Sequence, residues 1–128
     1  MKNIYIGLMT GTSVDAIDIS AVQIEEKDYK IIDSESYSYP QGIREKILSI
    51  SRREQLFDSK TIKKMDDHIG EIYSESIKKF LSTQEFMKNN ICAIGIHGQT
   101  IDHSPEAKLP RSIQIGNAQL VSKNLRVD

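Results

Sequence analysis

Residues 9–18 read MTGTSVDAID, a hydroxyl-rich turn with one glycine and two aspartates set between apolar stretches. Reversing a hairpin needs only two residues such as Asn-Gly. A turn that carries Thr10, Gly11, Thr12 and Ser13 is longer than reversal requires. Around a glycine, several backbone N–H groups can converge on one point, and such a concavity suits an anion, with hydroxyls as further donors. Asp15 and Asp18 repel phosphate and suit instead a Mg²⁺ ion, through its water shell, or sugar hydroxyls. A second group, HGQT at 97–100, directly follows the apolar run ICAIGI at 91–96. In open α/β sheets ligands lie beyond the carboxyl ends of parallel strands. There Gly98 admits a ligand close to the backbone, and His97 and Gln99 offer side-chain hydrogen bonds.

Blander readings stand beside these: a polar surface hairpin for the turn, and a strand-end histidine bonded to backbone for His97. The turn is no Walker loop, since no lysine occurs between Lys2 and Lys27, and it is no dinucleotide fingerprint. No nucleophile elbow G-x-S-x-G occurs. His68, His103 and Cys92 show no zinc spacing, so no metal ligands are assigned. Cys92, inside ICAIGI, reads as a buried structural thiol. Asp66-Asp67, Glu25-Glu26 and Arg52-Arg53 read as solvated faces or turns, and Tyr37 and Tyr39 as residues packed at a sheet edge.

The elements that must position both groups follow from periodicity. Residues 3–9 alternate with Ile4, Ile6 and Leu8 on one side, and residues 16–24 alternate again, as strands do. EEKD is a charged turn before a third, less regular strand at 29–39. Three strands with short turns predict an antiparallel meander. A short helix is expected over 43–52. A longer one from about Ser59 to Met87 carries Ile62, Met65, Ile69, Ile72, Tyr73, Ile77, Phe80 and Leu81 as its apolar stripe, with STQE at 82–85 as a break or a fresh capping box. ICAIGI reads as a strand covered on both faces, as in a parallel sheet. After the turn HSPEAKLP come a short strand RSIQI and a helix opened by Gly116-Asn117. NLRVD at the end resembles the start of another strand. The expected fold is α/β, in βββαβ order with a mixed sheet.

At 128 residues the chain has the length of one domain, and its net charge of −1 gives no electrostatic case for nucleic acid. No apolar run approaches the roughly 20 residues that span a bilayer, and the opening is too quickly polar for a signal peptide. These features predict a soluble, cytoplasmic chain.

Two stretches together resemble one family. GLMTGTSVDAIDIS is similar to the opening motif M-S-G-T-S-x-D-G-[IV]-D of the anhydro-N-acetylmuramic acid kinases. IGIHGQTIDHSP, followed by SIQIGNAQLVS, resembles their G-x-H-G-Q-T-[IV]-x-H-x-P and L-Q-[IL]-G-[DN]-x-x-x-[IL]-A segments, and DDHIGEIYSESI resembles a less specific helix between them. The resemblance implies the actin-like ATPase fold of sugar kinases and Hsp70, two RNase H-like halves with ATP between them. Residues 1–128 would be the first part of the N-terminal half, truncated from a longer two-domain kinase. It implies an ATP-binding stretch of Gly11, Thr12, Ser13, Val14, Asp15, Ala16, Ile17 and Asp18, with His97, Gly98 and Gln99 on the sugar side. The implied reaction opens the 1,6-anhydro bridge of anhydro-N-acetylmuramic acid with water. It then transfers the γ-phosphoryl of ATP·Mg²⁺ to O6, a step in recycling peptidoglycan sugar. The family's general-base aspartate falls in a segment expected beyond Asp128. Ala16 stands where the family usually has Gly, Thr10 where Ser is common and Asn117 where Asp is common.

The piece is expected to be inactive alone, and a surface left open where the other half docks favours a homodimer. A stand-alone RNase H-like binding module is the alternative of another class. A nuclease needs about three or four clustered carboxylates, and the first strand supplies none.

Overall fold

The computed structural model describes residues 2–53, 57–104 and 111–128. Strand β1 (Ile4–Thr10) alternates strictly: Ile4, Ile6, Leu8 and Thr10 are buried, while Tyr5, Gly7 and Met9 face out. It pairs antiparallel with β2 (Ile17–Glu25), where Ile17, Ile19 and Ala21 supply the same inner face. A tight turn with Glu26 at φ 50° leads into β3 (Asp28–Tyr37), antiparallel to β2 and largely exposed.

Two helices then cover the inner face. Helix α1 (Gln41–Ser51) buries Ile43 and Ile47. Helix α2 (Ser59–Leu81) buries Met65, Ile69, Tyr73, Ile77, Phe80 and Leu81 at three-and-four spacing. The Asp58 carboxylate caps α2 by accepting the Thr61 N–H at 2.7 Å, and Lys78 and Lys79 complement the helix dipole in its last turn. Ser82 ends the helix by bonding the Lys79 carbonyl at 2.8 Å. A short α3 (Glu85–Asn89) leads into β4 (Ile91–Ile96), which lies parallel to β1. The sheet order is β3-β2-β1-β4, a mixed sheet of four strands. The fully buried isoleucines between sheet and helices contribute about 1.5–3 kcal/mol each.

A separate hairpin of β5 (Gln99–Ser104) and β6 (Arg111–Ile115) follows, and then α4 (Ala118–Leu125), capped by Asn117, whose side chain accepts the Leu120 N–H. This second sheet was not expected, because Gln99 and Thr100 look like turn residues in sequence yet are buried strand residues. Residues 124–125 belong to α4 and not to a strand. Arg126 in the left-handed conformation then releases the chain, so that the Asp128 carbonyl accepts the Ile94 N–H at 2.8 Å.

Three further expectations are overturned. Strand β4 is not covered on both faces: Cys92 and Gly95 are exposed, and Ala93, Ile94 and Ile96 only half-buried. Cys92 is therefore an exposed thiol, next to the half-open Tyr5. The cause is position: β4 ends the sheet, and the helices pack on one face only. Asp66 and Asp67 are not merely solvated. The Asp66 carboxylate accepts the Gly116 N–H at 2.8 Å, and that of Asp67 accepts the Asn117 side-chain amide at 2.8 Å. Together they fasten the β6–α4 junction to α2.

This arrangement predicts acid sensitivity. The Thr61 backbone and side chain hold the Asp58 carboxyl below its usual value, and Asn117 followed by Lys63 does so for Asp67. A carboxyl whose folded-state value is depressed adds stability above its unfolded value, and loses it as pH falls through the folded value. The melting temperature is therefore expected to drop as pH is lowered from about 4 to about 2. The D58N/D67N variant, which keeps hydrogen-bonding side chains, should show a shallower drop in circular-dichroism melts.

Candidate functional site

The β1–β2 turn is a built loop. The Val14 N–H closes it on the Gly11 carbonyl at 3.1 Å. Val14 takes φ 58°, unfavourable for a β-branched residue, and is fully buried as the turn's apolar anchor. Ala16 keeps an ordinary φ, so its side chain strains nothing. Arg44 of α1 reaches across to bond the carbonyls of Val14 at 3.1 Å and Ser13 at 3.4 Å, and pairs with the Asp15 carboxylate at 3.3 Å. Gly11, Thr12 and Ser13 are left at the surface, and among the described residues nothing accepts their backbone N–H groups.

The β4–β5 turn lies against this loop. The His97 N–H extends the parallel ladder to the Leu8 carbonyl at 3.2 Å. Gly98 then takes φ +86°, and a Cβ there would sit 2.9 Å from the Ile115 carbonyl oxygen. Two cross-ties join residues 88 apart in sequence: the Thr10 hydroxyl donates to the Gly98 carbonyl at 2.8 Å, and Gln99 Nε2 donates to the Gly11 carbonyl at 3.0 Å. Gln99 Nε2 also donates to the Thr100 carbonyl at 3.1 Å. Because both neighbours are carbonyls, the amide orientation is fixed, and Oε1 is left buried without a partner among the described residues.

The structure thus brings the two sequence-predicted groups together, though not every member faces outward. His97 is exposed, with Nδ1 3.2 Å from the Gly98 carbonyl, whereas Gly98 and Gln99 are buried. Asp15 is exposed beside Arg44. Asp18 lies within β2, its carboxylate engaged by the Ser36 hydroxyl, and Val14 and Ile17 are core residues. His68 lies on α2 away from both turns, lining an open groove with Tyr37, Glu71 and Glu75. His103 falls in β5. Among the described residues no group of three or more His, Cys, Asp or Glu side chains could hold a metal.

Behind the two turns stand groups that periodicity alone did not reveal. The Tyr73 hydroxyl contacts the Thr10 hydroxyl at 3.3 Å and the Tyr39 hydroxyl at 2.8 Å, all buried. Burial raises both phenols above their ordinary value, most strongly at Tyr39, so they remain neutral hydroxyls. In sequence Tyr73 is one more stripe residue. The available signal is that a fully buried stripe position carries a phenol, whose hydroxyl must find a partner. Arg44 gave no such signal, since its role depends on α1 crossing the turn. An apolar cleft of about 440 Å³ between Leu81, Ile91, Leu125 and Val127 lies at the other end of β4 from His97.

Comparison with known proteins bears on this geometry. The sequence model of the anhydro-N-acetylmuramic acid kinase family matches residues 3–128. The chain belongs to that family. It is 32% identical over 127 residues to the anhydro-N-acetylmuramic acid kinase of Vibrio vulnificus (strain YJ016), covering 99% of this chain and 34% of that protein. It is 35% identical over 122 residues to that of Mannheimia succiniciproducens, covering 95% of this chain and 32% of the relative. The relative from Sulfurimonas denitrificans is 33% identical over 127 residues, again 99% of this chain and 34% of the relative. The chain therefore spans about a third of the length of these curated kinases. No described helix is long and apolar enough to cross a membrane.

Proposed function

We propose that this chain supplies the phosphate-binding wall of an anhydro-N-acetylmuramic acid kinase, with the turn Gly11–Asp18 on the nucleotide side and His97–Gln99 on the sugar side. The observation that carries this reading is the juxtaposition of two features. The N–H groups of Gly11, Thr12 and Ser13 are free among the described residues, and their loop is tied to the end of the parallel strand β4. Free amides of this kind hold a terminal phosphate without a lysine. The β3-β2-β1-β4 order, three antiparallel strands and a parallel fourth, supports an RNase H-like half of an actin-like ATPase.

ATP supplies the phosphoryl group. On this chain the turn amides, with the Thr12 and Ser13 hydroxyls, orient the terminal phosphate and meet the charge that develops on its oxygens. His97, exposed at the end of β4, is placed to hydrogen-bond the sugar. Asp15, exposed and 3.3 Å from Arg44, and Asp18, bonded by the Ser36 hydroxyl, belong to no group of three or more metal-ligating side chains among the described residues, so no Mg²⁺ ligand is assigned. We assign no general base among these residues; the water that opens the anhydro bridge is activated by an aspartate outside them. The setting is cytoplasmic recycling of cell-wall amino sugar.

ADP release tests this reading. The product of the complete reading frame is expected to turn over with ATP·Mg²⁺ and the anhydro sugar, and the 128-residue chain alone is not. His97→Ala should lower kcat/KM for the sugar by about tenfold or more, as loss of a substrate hydrogen bond does. Absence of sugar-dependent ADP release from the complete product would overturn the proposal.

A further inference from the structure

Three buried hydroxyls, those of Tyr39, Tyr73 and Thr10, form one cluster behind the turns. The Gly98 carbonyl can only accept, so the Thr10 hydroxyl spends its single proton there, at 2.8 Å. At the Thr10–Tyr73 contact of 3.3 Å the donor must then be Tyr73. At the Tyr73–Tyr39 contact of 2.8 Å the donor is then Tyr39. The result is a one-way relay, Tyr39 to Tyr73 to Thr10 to Gly98, running from the β3–α1 connection through the middle of α2 into the β4–β5 turn.

We infer that Tyr73 is a positioning residue, which through Thr10 holds the Gly98 carbonyl and so fixes the His97–Gln99 turn relative to the Gly11 loop. Four observations converge on this. Tyr73 is fully buried, and Thr10 is 2% exposed, so no water competes for their hydroxyls. The tyrosine ring is wedged: Tyr39 lies against it with ring centroids 6.4 Å apart, and Gly116 leaves no room on another side. Gly98 sits at φ 86°, where glycine turns freely, so its peptide is a flexible joint that the Thr10 bond restrains. The second cross-tie, Gln99 to Gly11, begins one residue further on, so loosening the first loosens the second. Direction matters as well. Tyr39 donates to Tyr73 and also lies close to the Thr10 hydroxyl, and its loss leaves the contacts from Tyr73 to Thr10 and from Thr10 to Gly98 in place. Loss of the Tyr73 hydroxyl frees Thr10 to rotate.

This inference gives a specific residue to the proposed kinase site and rests on that reading for its catalytic consequence, but not for its geometry. The test is therefore in two parts. In the 128-residue chain, exchange of the Gln99 side-chain amide protons is followed by NMR alongside thermal melts. Tyr73→Phe and Thr10→Val are expected to speed that exchange about tenfold, whereas Tyr39→Phe and Thr10→Ser leave it within about twofold of wild type. Tyr73→Phe removes two of these contacts and Tyr39→Phe one. Exchange is therefore compared at equal temperature intervals below each variant's melting point, which separates loosening of the turn from lost stability. In the complete gene product, Tyr73→Phe should lower kcat about tenfold with the KM for ATP within about twofold, the mark of lost alignment and not of lost binding. Equal exchange rates in the Tyr39 and Tyr73 variants, or exchange that simply tracks melting temperature, would overturn the relay. A wild type without kinase activity would instead overturn the functional reading, and the exchange data would still decide the relay.

Discussion

Gly116→Ala should lower the melting temperature of this chain by about 10–15 °C, corresponding to about 3 kcal/mol for a domain of this size. Gly116 joins β6 to α4 with φ +125°, where a side chain is strained whatever the surrounding space. A Cβ would also sit 2.5 Å from Cε2 of Tyr73 and 3.4 Å from Cγ2 of Ile69. Such a clash is cheap only when the neighbour can give, and the Tyr73 ring is fully buried with its hydroxyl bonded to Thr10 and Tyr39. Moving the Gly116 backbone instead would break its N–H bond to Asp66. Backbone strain and overpacking, each about 1–3 kcal/mol, therefore act together. Gly42→Ala is the natural control: nothing lies within 4 Å of a Cβ there, and in the first turn of α1 it should be neutral or stabilising by up to about 1 kcal/mol. Calorimetry of the two variants checks both values.

Gly98→Ala should cost both activity and stability. Its φ of +86° strains a side chain, and the new Cβ would meet the Ile115 carbonyl, backbone that cannot swing aside, at 2.9 Å. Relief comes by shifting the Gly98 peptide, whose carbonyl the Thr10 hydroxyl holds. Displacing that peptide moves His97 and loosens the tie between Gln99 and Gly11. Misplacement of substrate-positioning groups by about 1 Å costs roughly 100-fold in rate, so kcat/KM for ADP release by the complete gene product should fall by about that factor. Stability should fall by about 1–3 kcal/mol. A variant that is destabilised but fully active would show that the β4–β5 turn lies outside the site.

Strand and helix spacing made much of this architecture legible. Alternation at Ile4, Ile6 and Leu8 marked β1, and the stripe from Met65 to Leu81 marked α2, because each element buries one face and its period shows in the residues. Strand β6 was legible as RSIQI, but its partner β5 was not. Its inner residues Gln99 and Thr100 are polar and buried through hydrogen bonds to carbonyls that only the folded chain supplies. Cys92 misled for the opposite reason. An apolar run suggests burial, but β4 closes the sheet and leaves that thiol open. At the site, Gly11 to Ser13 and His97 to Gln99 stood out by residue type. Their contact, across 88 residues of chain, came only with the parallel pairing of β4 to β1. Arg44 and Tyr73 stayed hidden, since a surface arginine on a helix and a stripe tyrosine are ordinary until their partners are known.

The most direct test of the account is a crystal structure of the complete gene product with a non-hydrolysable ATP analogue and Mg²⁺. The terminal phosphate is predicted to lie within hydrogen-bonding distance of the N–H groups of Gly11, Thr12 and Ser13, facing His97 across the cleft. A phosphate bound elsewhere, with those three amides turned to solvent or to other protein groups, would contradict it.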